Sequence, residues 1–141
     1  MINSVKYIKS LNLIKNRKDF GEFLIEGKRL VKSAILYNAD IKSIYVTRSF
    51  IGENSSFKKL ATNHEIKMIS ISNKDFQKIS NTVNPSGVAA VCGIKNDEFK
   101  RSEKDKILYL SEISDPGNLG TLIRSAAYFN FVDIVLSKNC V

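Results

Sequence analysis

Ile107-Leu108-Tyr109-Leu110-Ser111-Glu112-Ile113-Ser114-Asp115-Pro116-Gly117-Asn118-Leu119-Gly120, continued by Thr121-Leu122-Ile123-Arg124-Ser125-Ala126-Ala127-Tyr128-Phe129-Asn130 and then Phe131-Val132-Asp133-Ile134-Val135-Leu136-Ser137-Lys138, reads as a strand, a sharp bend, a helix and a second strand. The runs Ile107–Leu110 and Phe131–Leu136 have the bulk and length of buried strands, and the crossover between them makes one parallel βαβ unit. Asp115-Pro116-Gly117-Asn118 is turn material, expected to form a rigid loop: proline fixes φ, glycine permits a positive φ, and Asn118 is placed to cap a helix beginning at Leu119. Leu119, Leu122, Ile123, Ala126 and Ala127 fall on one helical stripe that faces the sheet. Thr121, Arg124, Ser125 and Tyr128 take the opposite side, which lifts one guanidinium outward near the carboxyl end of a parallel strand, where open α/β sheets bind ligands. Arg124 is thus placed for a phosphate or a reacting oxygen. The residues alone leave it open as a solvated arginine paired with Glu112 or Asp115, and leave Asn118 open as a simple helix cap.

The motif Asp115-Pro116-Gly117-Asn118-Leu119-Gly120, followed by Ile123-Arg124-Ser125-Ala126 and Phe129, resembles the first motif of the SpoU, or TrmH-like, class of RNA ribose 2′-O-methyltransferases in the SPOUT superfamily. Asn130 departs from the glycine usual after that phenylalanine, although asparagine also adopts a left-handed helix end. The resemblance implies catalytic roles for Arg124 and Asn118. It gives Asp115, Pro116, Gly117 and Gly120 the shaping of the loop, with Gly120 letting backbone come close to a ligand.

The resemblance continues upstream. Arg17, Phe23, Glu26, Gly27 and Leu30 match the start of the small substrate-binding domain that precedes the methylase domain in this class, and Asn84 to Val91 match its closing Pro-x-Gly-Val segment. It implies an L30e-like three-layer α/β/α domain over residues 1–95 that engages RNA. A charged linker over 96–106 and a βαβ fragment of the SPOUT trefoil-knot methylase domain over 107–141 would follow. The donor S-adenosylmethionine is held in this class by a knot built from later motifs, expected beyond Val141. The chain by itself is therefore expected to bind no donor and to be inactive, with ribosomal RNA rather than tRNA the substrate of the parent enzyme. A non-catalytic L30e-like RNA-binding module is the alternative, and a protein-only scaffold a third.

Composition bounds these expectations. Residues 1–94 carry 15 Lys and Arg against 7 Asp and Glu, and residues 95–141 carry 7 against 7, so the entire net charge of +8 lies in the first part. Such an imbalance fits a polyanion contact, and on charge alone it also fits a merely solvated, soluble face. Lys15, Arg17, Lys18, Lys28, Arg29 and Lys32 are read as collective phosphate contacts, which position a nucleic acid without reading its sequence. With 43% hydrophobic residues, the chain has a core to bury. It has no apolar run long enough to span a bilayer and no hydrophobic signal core at its start, which gives the expectation of a soluble, cytoplasmic protein without membrane partners. Cys92 and Cys140 stand far apart, without a CxxC pattern or a histidine at metal spacing, and are read as buried small apolar residues rather than a disulfide or a metal site. His64 lies in a polar stretch and offers no triad.

Along the first part, Ser4 is placed to cap a helix reaching Lys15, with Val5, Ile8, Leu11 and one of Leu13 and Ile14 inward, ended by Asn16-Arg17-Lys18-Asp19. Phe20–Glu26 reads as a strand, and a helix from Gly27 carries Leu30, Val31, Ala34 and Ile35 inward. Glu26 is read as a carboxylate favoured by that helix's dipole. Strands over 41–47, 66–71 and 88–94 alternate with helices over 56–62 and 73–79, separated by loops over 49–56 and 81–87, which is the pattern of a layered α/β fold. A βαβ of this size does not bury its own faces. The apolar residues Leu108, Leu110, Ile123, Ile134 and Leu136 are expected to pack on the first domain or in a homodimer, swapped or joined edge to edge.

Overall fold

The computed structural model of the protein describes residues 4–95 and 106–141. The chain divides into two compact units, Met1–Asn96 and Asp97–Val141. The charged linker read over 96–106 lies, except for Lys106, outside the described residues.

In the first unit the elements run α1 (Val5–Ser10), α2 (Ile14–Phe20), β1 (Glu22–Glu26), α3 (Lys28–Leu36), β2 (Ile41–Thr47), α4 (Arg48–Glu53), α5 (Ser55–Asn63), β3 (Met68–Ile71), α6 (Asn73–Ile79) and β4 (Val88–Gly93). The sheet order is β1-β4-β2-β3, with β4 antiparallel to both β1 and β2, and with β2 parallel to β3. Alternation along β4 and β2 assigns the two faces. Val88, Ala90, Cys92, Ile44 and Val46 pack with Val31, Ile35, Phe57 and Ala61 of α3 and α5. Ala89, Val91 and Tyr45 pack with Ile8 of α1, Leu11 at its end, and Phe76 and Ile79 of α6. Two separate cores on opposite faces of one sheet make the three-layer α/β/α sandwich.

Several local expectations are corrected. Ser4 does cap α1, accepting the Tyr7 N–H at 3.2 Å, but the helix ends at Ser10 instead of continuing to Lys15. Asn12 leaves the helical path because its side chain donates to the Ile79 carbonyl at 3.3 Å and accepts from Asn81 at 2.8 Å, bonds that compete with the helix ladder. Asn16-Arg17-Lys18-Asp19 consequently lies inside a second helix, and Leu13 and Ile14 are exposed. Phe20 closes α2 rather than opening β1, and Gly21, at φ 63, makes the left-handed cap and donates to the Arg17 carbonyl. Leu30 is 52% exposed, because Val31 and Ile35 are the α3 residues that meet the sheet.

The loop read over 49–56 contains α4, whose cap is Thr47, the last residue of β2, accepting the Phe50 N–H at 3.2 Å. Phe50 then stacks edge-on against Phe57, with centroids 5.2 Å apart. Glu26 caps nothing. Its carboxylate instead accepts from the Ser80 hydroxyl at 2.8 Å, the Thr82 hydroxyl at 3.0 Å and the Asn81 N–H at 3.3 Å, tying the end of β1 to the turn after α6.

The second unit is β5 (Ile107–Leu110), α7 (Pro116–Tyr128) and β6 (Asp133–Leu136). Its strands are parallel, with Ile107 opposite Asp133 and Leu110 opposite Leu136. β6 begins two residues later than the sequence suggests, and Asn130, at φ 60, takes the left-handed turn between helix and strand. Leu110 and Ala126 are its buried apolar residues, whereas Ile123 and Leu136 are about 40% exposed. Cys92 is buried as expected; Cys140 is only half-buried, and both are free thiols. No helix among the described residues is long and apolar enough to cross a membrane.

Candidate functional site

The bend after β5 is the first turn of α7, not a loop ahead of it. Asp115 is the cap, its Oδ1 accepting the Asn118 N–H at 2.6 Å, and Pro116 occupies the first helical position, where a missing N–H costs nothing and φ is already suitable. Asn118 is thus the donor to the cap. Its side chain borders an open groove of about 400 Å³ at the carboxyl end of β5, together with Glu112, Ile113, Asp115, Thr121 and Leu122. Gly117 contributes room rather than a positive φ, since a Cβ there would lie 3.1 Å from the capping oxygen of Asp115.

Arg124 points to solvent from the third turn of the helix. Its Nη2 donates to the Thr121 hydroxyl at 3.0 Å, and that hydroxyl donates in turn to the Gly117 carbonyl at 2.9 Å. The guanidinium pairs with neither Glu112 nor Asp115; the ion pairs among the described residues are Lys42 with Asp40 and Lys78 with Asp75. A Cβ on Gly120 would sit 3.4 Å from Arg124 Nη1, an ordinary contact, so Gly120 leaves open backbone beside the cation without being sterically required. The result is a cation aimed by a hydroxyl and left with unused N–H donors. It can hold a phosphate or stabilise charge on an oxygen. Thr121 was not singled out from the sequence, although its i, i+3 spacing from Arg124 is the signal that would have found it.

The six cations assigned to RNA form two groups. Lys15, Arg17 and Lys18 lie on α2, which leads into β1, while Lys28, Arg29 and Lys32 lie on α3, which leaves its far end. None is in an ion pair with a carboxylate among the described residues. A cation missed from sequence is Arg48. It follows the carboxyl end of β2 and lines a polar groove of about 330 Å³ with Ser49, Ser70, Ser72 and Asn73. The described residues hold no group of three or more His, Cys, Asp or Glu suited to a metal ion.

Fold and site together define a two-unit α/β protein with a basic first unit and, in the second, an open groove at the start of the helix that carries an outward arginine. Residues 3–90 match the MRM3-like substrate binding domain family. The chain is 31% identical over 140 residues to an uncharacterized tRNA/rRNA methyltransferase of Synechocystis, covering 97% of this chain and 50% of that protein. It is 34% identical over 122 residues to the 23S rRNA (guanosine(2553)-2′-O)-methyltransferase RlmP of Bacillus subtilis, covering 86% and 46%. Among solved structures, the AdoMet-bound rRNA methyltransferase from Sinorhizobium meliloti superposes with a TM-score of 0.73 at 24% identity, over 94% of this chain and 50% of that one. The SpoU methyltransferase AviRb from Streptomyces viridochromogenes, in complex with AdoMet, superposes with a TM-score of 0.77 at 19% identity, over 97% and 53%. The chain belongs to the MRM3-like substrate binding domain family, whose match covers most of its first unit. It spans about half the length of the curated relatives it matches.

Proposed function

We propose that this chain supplies the RNA-holding module and the arginine element of an S-adenosylmethionine-dependent ribose 2′-O-methyltransferase acting on ribosomal RNA. The observation that carries this is the state of Arg124, exposed, aimed by Thr121 and not neutralised by either nearby carboxylate. A ribose 2′-hydroxyl that becomes a nucleophile must be held in line and its developing negative charge stabilised. A guanidinium does not give up its proton in proteins, so Arg124 acts by donating hydrogen bonds to the ribose oxygen and the adjoining phosphate, not as a base. Asn118 lines the groove beside it, while Asp115, Pro116 and Gly117 set where the helix starts. Lys15, Arg17, Lys18, Lys28, Arg29 and Lys32 hold the RNA backbone collectively.

The donor supplies the methyl group. The groove beside Asn118 is open, with Ile113 and Leu122 as its apolar lining. The 141-residue chain is expected to show no tight stoichiometric S-adenosylmethionine binding by calorimetry. The enzyme is proposed to work in the cytoplasm as a homodimer, a state favoured by the two open edges of the β5–β6 sheet.

The test is methyl transfer to ribosomal RNA by the whole gene product and its Arg124→Ala variant. Loss of transfer by at least about 100-fold, with RNA affinity nearly unchanged, is expected when a charge-stabilising donor is removed. Normal methylation by a correctly folded variant refutes the role of Arg124. RNA binding without any transfer by the intact protein points instead to a non-catalytic RNA-binding module.

A further inference from the structure

The connection between β5 and α7 is held by the residues that follow β6. Ser137 N–H donates to the Leu110 carbonyl at 2.9 Å, and the Ser137 hydroxyl accepts the Glu112 N–H at 3.0 Å. Cys140 Sγ accepts the Ile113 N–H at 3.4 Å, and Val141 N–H donates to the Ile113 carbonyl at 3.0 Å. Cys140 N–H returns to the Ser137 carbonyl at 3.1 Å, closing the turn that presents these groups. Glu112 is held at φ 55, a left-handed conformation that a non-glycine residue keeps only where its surroundings over-determine it. Glu112 and Ile113 also form the floor of the groove that Asn118 and Thr121 border.

From Glu112 the path to the cation is short. Three residues later Asp115 caps α7, and the first turn of that helix carries the Gly117 carbonyl that orients Thr121 and, through it, Arg124. Any slack at Glu112 shifts the level at which the helix begins. That error is carried to the guanidinium, and positioning errors near an ångström are costly in rate.

We propose that Ser137 is a positioning residue for methyl transfer at Arg124, its hydroxyl fixing the left-handed Glu112 and hence the start of α7; this rests on the proposed function above. Ser137 makes no contact with Arg124, so it acts wholly through the bend. The bond it makes to Glu112 is near the surface, where water takes over the released N–H. Removing the hydroxyl therefore loosens the bend more than it destabilises the fold.

The test compares wild type, Ser137→Ala and Ser137→Thr in the whole gene product, with Arg124→Ala as the reference. Hydrogen exchange at the Glu112 and Ile113 amides reads the brace directly. Single-turnover methylation and RNA affinity, measured separately, read its consequence. Ser137→Ala is expected to speed exchange at Glu112, to lower the transfer rate about tenfold or more, and to leave RNA affinity unchanged. Ser137→Thr, which keeps the hydroxyl, is expected to restore both.

Unchanged exchange in Ser137→Ala overturns the brace whatever the enzyme does. Faster exchange with full transfer, while Arg124→Ala remains inactive, overturns the positioning role and leaves the functional assignment standing. Full activity of Arg124→Ala overturns the functional assignment, and the role of Ser137 in transfer with it. If Ser137→Ala does not fold, Cys140→Ala removes the adjacent contact to Ile113 and is judged by the same readouts.

Discussion

Two glycines of the first unit test whether crowding or replaceability decides the cost of an added methyl. Gly87 sits at φ +78 in the turn before β4, and a Cβ there would lie 2.6 Å from Thr47 Oγ1 and 3.1 Å from Phe50 Cβ. Gly93 ends β4 at an ordinary φ, and its Cβ would approach Asp40 Oδ2 more closely still. Distance alone makes Gly93→Ala the worse change. Physical reasoning reverses the order.

At position 87 an L-residue in the left-handed region costs about 1–2 kcal/mol. Thr47 and Phe50 are both buried, and the Thr47 oxygen is the α4 cap, so turning it aside forfeits about 1 kcal/mol more. Residual overpacking adds on the order of 1 kcal/mol, bringing Gly87→Ala to about 3–4 kcal/mol. At position 93 the obstacle is the end of a half-exposed side chain, whose 2.8 Å pair with Lys42 is a surface ion pair worth about 0–1 kcal/mol. Replacing a strand glycine by alanine returns a comparable amount, about 0.5–1 kcal/mol, so Gly93→Ala should fall within about 1 kcal/mol of wild type. Urea unfolding followed by far-UV circular dichroism, compared at a common m-value, measures both. If Gly93→Ala proves the more destabilising of the two, then flexible surface carboxylates are not the cheap neighbours assumed here.

Removing the Asp115 side chain should weaken α7 by about 1 kcal/mol, while Asp115→Asn, an equally good cap, should cost far less; thermal melts of the two variants separate them. Burial, reinforced by the Glu22 carboxylate it bonds to, pushes the Tyr7 hydroxyl up to about 12. Folded protein keeps this proton above pH 10 while the unfolded chain releases it, so the stabilisation is complete below pH 10 and fades as pH rises through about 12. Solvent screening at this part-exposed ring holds the effect to about 1 kcal/mol or less, and Tyr7→Phe should flatten that part of the pH-stability curve. The Ser137 hydroxyl bond lowers the Cys140 thiol from its usual range, whereas burial pushes Cys92 up to about 11. Iodoacetamide at pH 8 should therefore label Cys140 in the native protein and Cys92 only after unfolding, and mass mapping that finds Cys92 labelled first contradicts this.

What could be read in advance depended on whether the deciding partner was local. β4 is legible because both faces are buried and its residues are correspondingly small and apolar, and β2 because Ile44, Tyr45 and Val46 form a buried β-branched and aromatic run. The Arg124 side of α7 is legible because a period of 3.6 separates it from Leu119, Leu122 and Ala126. The break after α1 is not, because Asn12 leaves the helix for Asn81 and Ile79, which no window around residue 12 contains. α4 was missed because Thr47 serves at once as the last residue of a strand and the cap of a helix. The start of α7 was misplaced by three residues because Asp115 and Asn118 are both good caps, and only the preference of proline for the first helical position separates them. The turn that braces Glu112 comes from residues 25 or more positions away and leaves no local pattern.

The distribution of charge and of unpaired cations divides the proposed labour. The whole excess of +8 lies in the first 94 residues, where Lys42 and Lys78 pair with Asp40 and Asp75 while Lys15, Arg17, Lys18, Lys28, Arg29 and Lys32 do not, whereas the segment bearing Arg124 is neutral overall. Contacts of the first kind act by releasing counterions and weaken steeply with salt. In the proposed complex a single guanidinium would act on a ribose oxygen and its phosphate at contact distance, well inside a Debye length of about 8–10 Å, where salt screens it little. Salt should therefore lower the enzyme's apparent affinity for RNA while leaving the rate of transfer from the bound complex nearly constant. Neutralising Lys28 and Lys32 should mimic added salt, and neutralising Arg124 should not. Such a separation follows only if holding the RNA and stabilising the ribose oxygen are done by different residues.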